Sequence, residues 1–156
     1  MSQGRRPAGL LVAIAQWLAV PGDPAANLDA ARHWISQAAA AGADIIVLPE
    51  MWACGYDVGT LASDAAAAAQ PVPGPLTDTL GTLARQHGLW VFAGSVRERD
   101  VDRIFNTATV FNRAGQLVAR HRKAHLYRPT GRRRSRIRAG PVPRSRISGR
   151  TGSGSS

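Results

Sequence analysis

The sequence predicts an α/β fold that begins with a parallel strand pair and continues into an antiparallel region. Three observations carry this. Two short continuous apolar runs, Leu10–Gln16 and Asp44–Leu48, have the composition of strands covered on both faces. The segment between them, 24–41, is alanine-rich and places Leu28, Ala31, Ile35 and Ala38/Ala39 on one helical face, a crossover long enough to join parallel strands. Further on, Leu89–Val96, Ile104–Phe111 and Gln116–Arg122 read as three successive strands.

The punctuation supports each boundary. Pro21-Gly22-Asp23-Pro24 breaks the chain after the first run, with Asp23 as N-cap and Pro24 at the first helical position. Gly42 closes that helix. Ala65–Ala69 is a low-complexity patch expected to be a loose helix or loop. Pro71-Val72-Pro73-Gly74-Pro75 is a rigid lead into a second helix at 75–87, stopped by Gly88, with His87 in its last turn interacting favourably with the helix C-terminus. Asn112-Arg113-Ala114-Gly115 is a hairpin turn with glycine at the left-handed position. The sheet is therefore expected to be mixed, and no internal repeat is visible.

Charge divides the chain at Tyr127/Arg128. Residues 1–127 hold eleven Arg/Lys against ten Asp/Glu, whereas residues 128–156 hold nine Arg and no Asp, Glu, Lys or aromatic residue. The formal charge of +10 is thus +1 for the body and +9 for the tail. A single cysteine, Cys54, excludes an intrachain disulfide and fits a reducing cytoplasm. Arg5-Arg6 and Leu10–Val20 imitate a signal peptide, but Gln16 interrupts the run and a helix follows at once, so the segment reads as a buried first strand. No run of eighteen apolar residues is present to span a membrane.

Two charged residues stand where sheets place working groups. Glu50 follows the second strand in Leu48-Pro49-Glu50-Met51-Trp52, and desolvation at a strand end would raise its pKa toward that of a general base. The alternative is a glutamate that only caps the following turn. Lys123, in His121-Arg122-Lys123-Ala124-His125-Leu126, ends the last strand and by itself reads as an edge lysine. Cys54 is a nucleophile only with a base beside it, and reads as an idle buried thiol.

Together these segments resemble the nitrilase, or carbon–nitrogen hydrolase, superfamily. The resemblance rests on Val12-Ala13-Ile14-Ala15-Gln16, Asn27-Leu28, Gly42-Ala43-Asp44-Ile45-Ile46-Val47-Leu48-Pro49-Glu50 with Gly55-Tyr56, and Phe92-Ala93-Gly94-Ser95. It ends with Phe105-Asn106-Thr107-Ala108 and Arg122-Lys123-Ala124-His125-Leu126. It implies an α/β chain forming part of a four-layer αββα nitrilase-like sandwich, often homo-oligomeric, that hydrolyses small amides, nitriles or carbamoyl groups without a cofactor or metal. It casts Glu50 as the general base and Lys123 as the cation that stabilises a tetrahedral oxyanion, with His125 structural. The family's nucleophilic cysteine lies well after the lysine, in a strand-to-helix turn. After Lys123 this sequence has no cysteine. The resemblance therefore covers the first half of such a domain, residues 1–127, and the chain as written is expected to be inactive.

The tail, residues 128–156, has no apolar periodicity and is expected to be disordered. Its arginines would suit a nucleic-acid-binding arm on a small α/β body, the alternative function. Without interleaved aromatics, nucleic acid is not the expected partner. An abrupt loss of acids and motifs at one point is instead expected of a reading-frame shift or another truncation.

Overall fold

A computed structural model describes residues 9–55, 68–125 and 137–141. Within them the order is β1 (Val12–Ile14), α1 (Pro24–Ala40), β2 (Ile45–Val47), α2 (Pro75–His87), β3 (Trp90–Asp100), β4 (Arg103–Phe111), β5 (Leu117–Arg122) and β6 (Ile137–Arg138).

The helices form where the capping chemistry places them. Asp23 accepts a hydrogen bond from the Ala26 amide at 3.0 Å and Pro24 opens α1. At the start of α2 the Thr77 hydroxyl accepts from the Gly74 amide at 2.7 Å, and Gly88, left-handed at φ 64°, ends the helix. Both helices pack on one side of the sheet. Ala31, Ile35 and Ala38 of α1 and Leu80, Leu83 and Ala84 of α2 close over Ile46, Val91, Ala93, Val96 and Phe111.

The sheet runs β1-β2-β3-β4-β5, with β1, β2 and β3 parallel and β3, β4 and β5 antiparallel. The parallel neighbours β1 and β2, joined through α1, are as the sequence predicts. The hairpin turn between β4 and β5 also forms at Asn112–Gly115, with Gly115 at φ 80°. β3 runs four residues further than expected, to Asp100, because Arg103 to Ile104 continue to pair with Asp100 and Arg99.

Two features differ from the sequence-based expectation. The first apolar run is covered on one face only: Ile14 is 77% exposed, and the register aligns it with half-buried Val47 and Val110 and with Phe92, 41% exposed, in one row on the side away from the helices. Strands composed for two covered faces thus present one of them to solvent. The other difference lies in the tail. Its expected disorder falls on 128–136 and 142–156, outside the described residues, as do Ala65–Ala67 of the low-complexity patch. Of the tail, 137–141 are described, and there Ile137–Arg138 pair in parallel with Ile104–Phe105. β6 thereby continues the edge of β4 that β5 occupies from Thr107 to Phe111. No described helix is long and apolar enough to cross a membrane.

Candidate active site

The chain leaves β2 without leaving the sheet. The Leu48 amide donates to the Phe92 carbonyl at 2.8 Å, and the Ser95 amide reaches the Pro49 carbonyl at 3.4 Å. Between Phe92 and Ser95 the β3–β4 register slips by one residue, a bulge with Gly94 at φ 57°. Any Cβ there would stand 1.8 Å from the Pro49 carbonyl oxygen, so only glycine lets the two backbones approach. This contact delivers Glu50 to the open face of the sheet.

The turn after Glu50 is clamped from below. Met51 takes a left-handed φ of 56°, rare for a side-chain-bearing residue, and is fully buried. Its amide donates to the Ser95 hydroxyl at 3.2 Å, and its carbonyl accepts from the Gly55 amide at 2.9 Å. The Trp52 indole donates to the Ala93 carbonyl at 2.8 Å. Asn27 of α1, also buried, donates to the carbonyls of Val20 and Ala53, tying the turn to the helix start. Strain held by surrounding bonds in this way marks positions where geometry matters.

From the far side of the sheet comes Lys123. Its ammonium stands 2.6 Å from Glu50 Oε1 across 73 residues of sequence, and the Asn106 amide donates to the same oxygen at 2.8 Å. Asn106 is tied to both groups, since its carbonyl accepts from the Lys123 amide at 2.8 Å. The structure therefore unites the two residues singled out in the sequence. It also corrects one expectation: Glu50 is not desolvated, its side chain being 45% exposed and that of Lys123 40%. The reason is the uncovered sheet face on which both lie.

Cys54 is oriented differently. Its thiol contacts the Met51 carbonyl of its own turn at 3.8 Å. Burial pushes the thiol pKa up, and the Arg97 guanidinium offsets this only in part. A thiol so placed is a poor nucleophile at neutral pH. His125, at the end of the described segment, is exposed. Among the described residues no group of three His, Cys, Asp or Glu side chains could hold a metal ion.

Asn106 is a site residue whose role the sequence reading does not assign, although a signal exists. Asparagine is disfavoured in strand interiors, and alternation with Phe105 and Thr107 sends its side chain to the opposite face. A stronger signal is Lys123 itself, the only lysine in a chain with nineteen arginines.

Residues 11–150 match the family model for carbon–nitrogen hydrolases, an interval that runs past Tyr127. The omega-amidase NIT2 of Danio rerio is 35% identical over 101 residues, which are 65% of this chain and 35% of that protein. The 2-oxoglutaramate amidase of Bacillus subtilis (strain 168) is 34% identical over 109 residues, 68% of this chain and 39% of its own length. Among solved structures, Saccharomyces cerevisiae Nit3 of the nitrilase superfamily aligns at TM-score 0.71 and 26% identity, covering 85% of this chain and 49% of that one. An amidase from Nesterenkonia sp. shares the fold at TM-score 0.68 and 23% identity, over 89% of this chain and 51% of that one. The chain spans about half the length of these structures and little more than a third of these curated relatives. With Glu50, Asn106 and Lys123 brought together at the end of a mixed sheet, and with the family model matching over residues 11–150, the chain belongs to the carbon–nitrogen hydrolase family.

Proposed function

We propose that Glu50 and Lys123 are the proton-transfer and oxyanion-binding half of a centre that hydrolyses small non-peptide amides, and that the 156-residue chain alone does not turn over. One observation carries this reading: an ammonium and an amide converge on one oxygen of a carboxylate, from strands far apart in sequence. Two donors fix the direction of the carboxylate, as a general base requires. The ammonium beside it can take up the charge that develops on a carbonyl oxygen bound next to it. The names of the relatives, omega-amidase and 2-oxoglutaramate amidase, support small amides as the substrate class.

Acyl transfer through this pair needs a third group. A thiol gives its proton to Glu50 and attacks the amide carbon. The C–N bond breaks as Glu50 returns the proton to the departing amine, and Glu50 then activates water to cleave the thioester. The only cysteine here, Cys54, is buried, held in its own turn and raised in pKa. The nucleophile is the missing part. If the change of composition at Arg128 is a frame shift, another reading frame of the gene beyond codon 127 encodes a cysteine in a strand-to-helix turn.

The deciding experiment joins residues 1–125 to the remaining C-terminal portion of the Bacillus subtilis 2-oxoglutaramate amidase. The folded chimera hydrolyses a short amide, and Glu50→Gln or Lys123→Met lowers kcat by about 10²-fold or more. A folded chimera without turnover, or one indifferent to both substitutions, overturns the assignment. The unaltered chain shows no turnover; activity abolished by Cys54→Ser would instead make Cys54 the nucleophile.

A further inference from the structure

On the helix side of the sheet, behind Lys123, lies a polar cluster that the proposed chemistry does not use. Glu98 of β3 is 1% exposed, yet it carries a charge. Burial pushes its carboxyl pKa up, but hydrogen bonds from Arg122 and from Thr107, together with the charges of Arg122 and Arg120, outweigh that and hold it below the usual carboxylate value. Arg122 grips it with two parallel bonds, Nε to Oε2 at 2.9 Å and Nη2 to Oε1 at 2.6 Å. The same guanidinium reaches Asp100 at 2.8 Å and lies 3.9 Å over the Phe105 ring. Arg120 adds a bond of 2.7 Å to the Val72 carbonyl, so the cluster joins β3, β4, β5 and the lead into α2.

Arg122 is the residue immediately before Lys123. It is the last residue of β5, paired with Thr107, at the point where an edge strand normally frays. Neighbouring residues of a strand point to opposite faces, so anchoring Arg122 on the helix side sets the direction in which Lys123 leaves on the open side. The Lys123 backbone is then held by its own amide on the Asn106 carbonyl and by the Gly140 amide on its carbonyl at 2.9 Å. A planar two-bond fork resists rotation in a way that a single charge contact does not.

We infer that the Glu98–Arg122 fork is a positioning device for Lys123: it fixes the strand end so that the ammonium stays on Glu50 and Asn106. The importance of this for catalysis rests on the reading of Glu50 and Lys123 as the working pair. The geometry can be tested without turnover, so the two ideas can fail separately.

The sole lysine makes the test clean. Reductive methylation of the full 156-residue chain with 13C-formaldehyde labels one side-chain amine, Lys123, besides the N-terminus. Two variants remove the fork. Arg122→Gln removes the fork without adding a second lysine, and Glu98→Gln with Arg122→Met replaces the ion pair by neutral groups of similar size, which avoids leaving a buried charge unpaired. In both, with a dispersed amide spectrum showing a folded chain, the dimethyl-Lys123 resonance moves at least halfway toward that of free dimethyl-lysine. In unmethylated protein its acylation by an amine reagent speeds up at least threefold. An unchanged resonance and rate in both folded variants overturns the positioning role. Glu50→Gln is the control: if it leaves the resonance in place while the fork variants move it, the Glu50–Lys123 pairing fails and the fork's hold on the strand end stands.

Discussion

The two faces of this sheet are built from the same strands and differ in almost everything else. On the helix side, Ile35, Leu80, Val91 and Phe111 are sealed from solvent, and the buried carboxylate of Glu98 accepts hydrogen bonds from Thr107 and Arg122. On the other side, Val12, Ile14, Trp90 and Phe92 meet solvent, and the carboxylate there, Glu50, is half exposed beside Lys123. Buried packing is concentrated on one face and the exposed Glu50–Lys123 pair lies on the other. The difference shows that an apolar strand need not be a buried one: the run Leu10–Gln16 has the composition of a strand covered on both faces, yet Ile14 within it is 77% exposed.

The sharpest way to break this contrast is Gly94→Ala. The bulge at Gly94 is where β3 changes which residues face the helices, Val91 and Ala93 before it and Val96 and Glu98 after it. A methyl group there overlaps the Pro49 carbonyl at 1.8 Å and the Leu48 carbonyl at 2.6 Å, both backbone atoms that cannot move aside locally. Loss of about 4 kcal/mol or more is expected, among the larger effects a single substitution produces. Urea denaturation monitored by tryptophan fluorescence reads it directly. A cost below about 1 kcal/mol would mean that the close approach is not a feature of the folded chain.

Next in size is a matched pair of truncations. Ile35→Ala, at a position with 0% exposure, removes packed methyl groups and opens a cavity, for a cost of about 2–5 kcal/mol. Ile14→Ala, at 77% exposure, changes stability by less than about 0.5 kcal/mol. Equal costs would show that the open face is covered in solution.

Much of the fold was legible because it rests on local rules. Asp23 and Pro24 start α1, Gly88 stops α2 and Gly115 turns the hairpin, each through chemistry confined to a few residues. The Glu50–Lys123 meeting came through family resemblance, since nothing in their spacing indicates that residues 73 apart touch. What stayed hidden is long-range. Gly94 reads as an ordinary glycine until the β2 exit is laid across it. Glu98 reads as a surface charge in the polar run Arg97-Glu98-Arg99-Asp100 until β5 brings Arg122 over it. β6 has two residues and no pattern of its own. Its pairing is decided by the unoccupied edge of β4 beside Ile104 and Phe105, which no window of local sequence reveals.

Smaller effects than those at Gly94 and Ile35 come from the two carboxylates, and they sharpen the contrast most finely. Glu98→Gln leaves Arg122 and Arg120 with a weaker acceptor in a buried place, at a cost of about 2 kcal/mol at neutral pH, allowing for the partial exposure of both arginines. The sign with pH follows from its lowered pKa. The ordinary value for this group is 4.5, and the folded value lies below it. Between the two, the unfolded chain binds the proton more readily, so the Glu98 contribution is present above about pH 4.5 and disappears as the pH falls through the folded value. The wild-type chain therefore loses stability on acidification in this range, and Glu98→Gln makes that loss shallower. Glu50→Gln behaves otherwise. Its partner Lys123 is 40% exposed and water screens the pair, so the cost stays under about 1 kcal/mol and shrinks further in 1 M salt. Denaturation curves of the two variants at pH 7 and pH 4, each at low and high salt, separate these cases. A Glu50→Gln cost as large as that of Glu98→Gln would make the pair at the open face part of the scaffold. A negligible cost leaves Glu50 and Lys123 as groups held together for a reason other than folding.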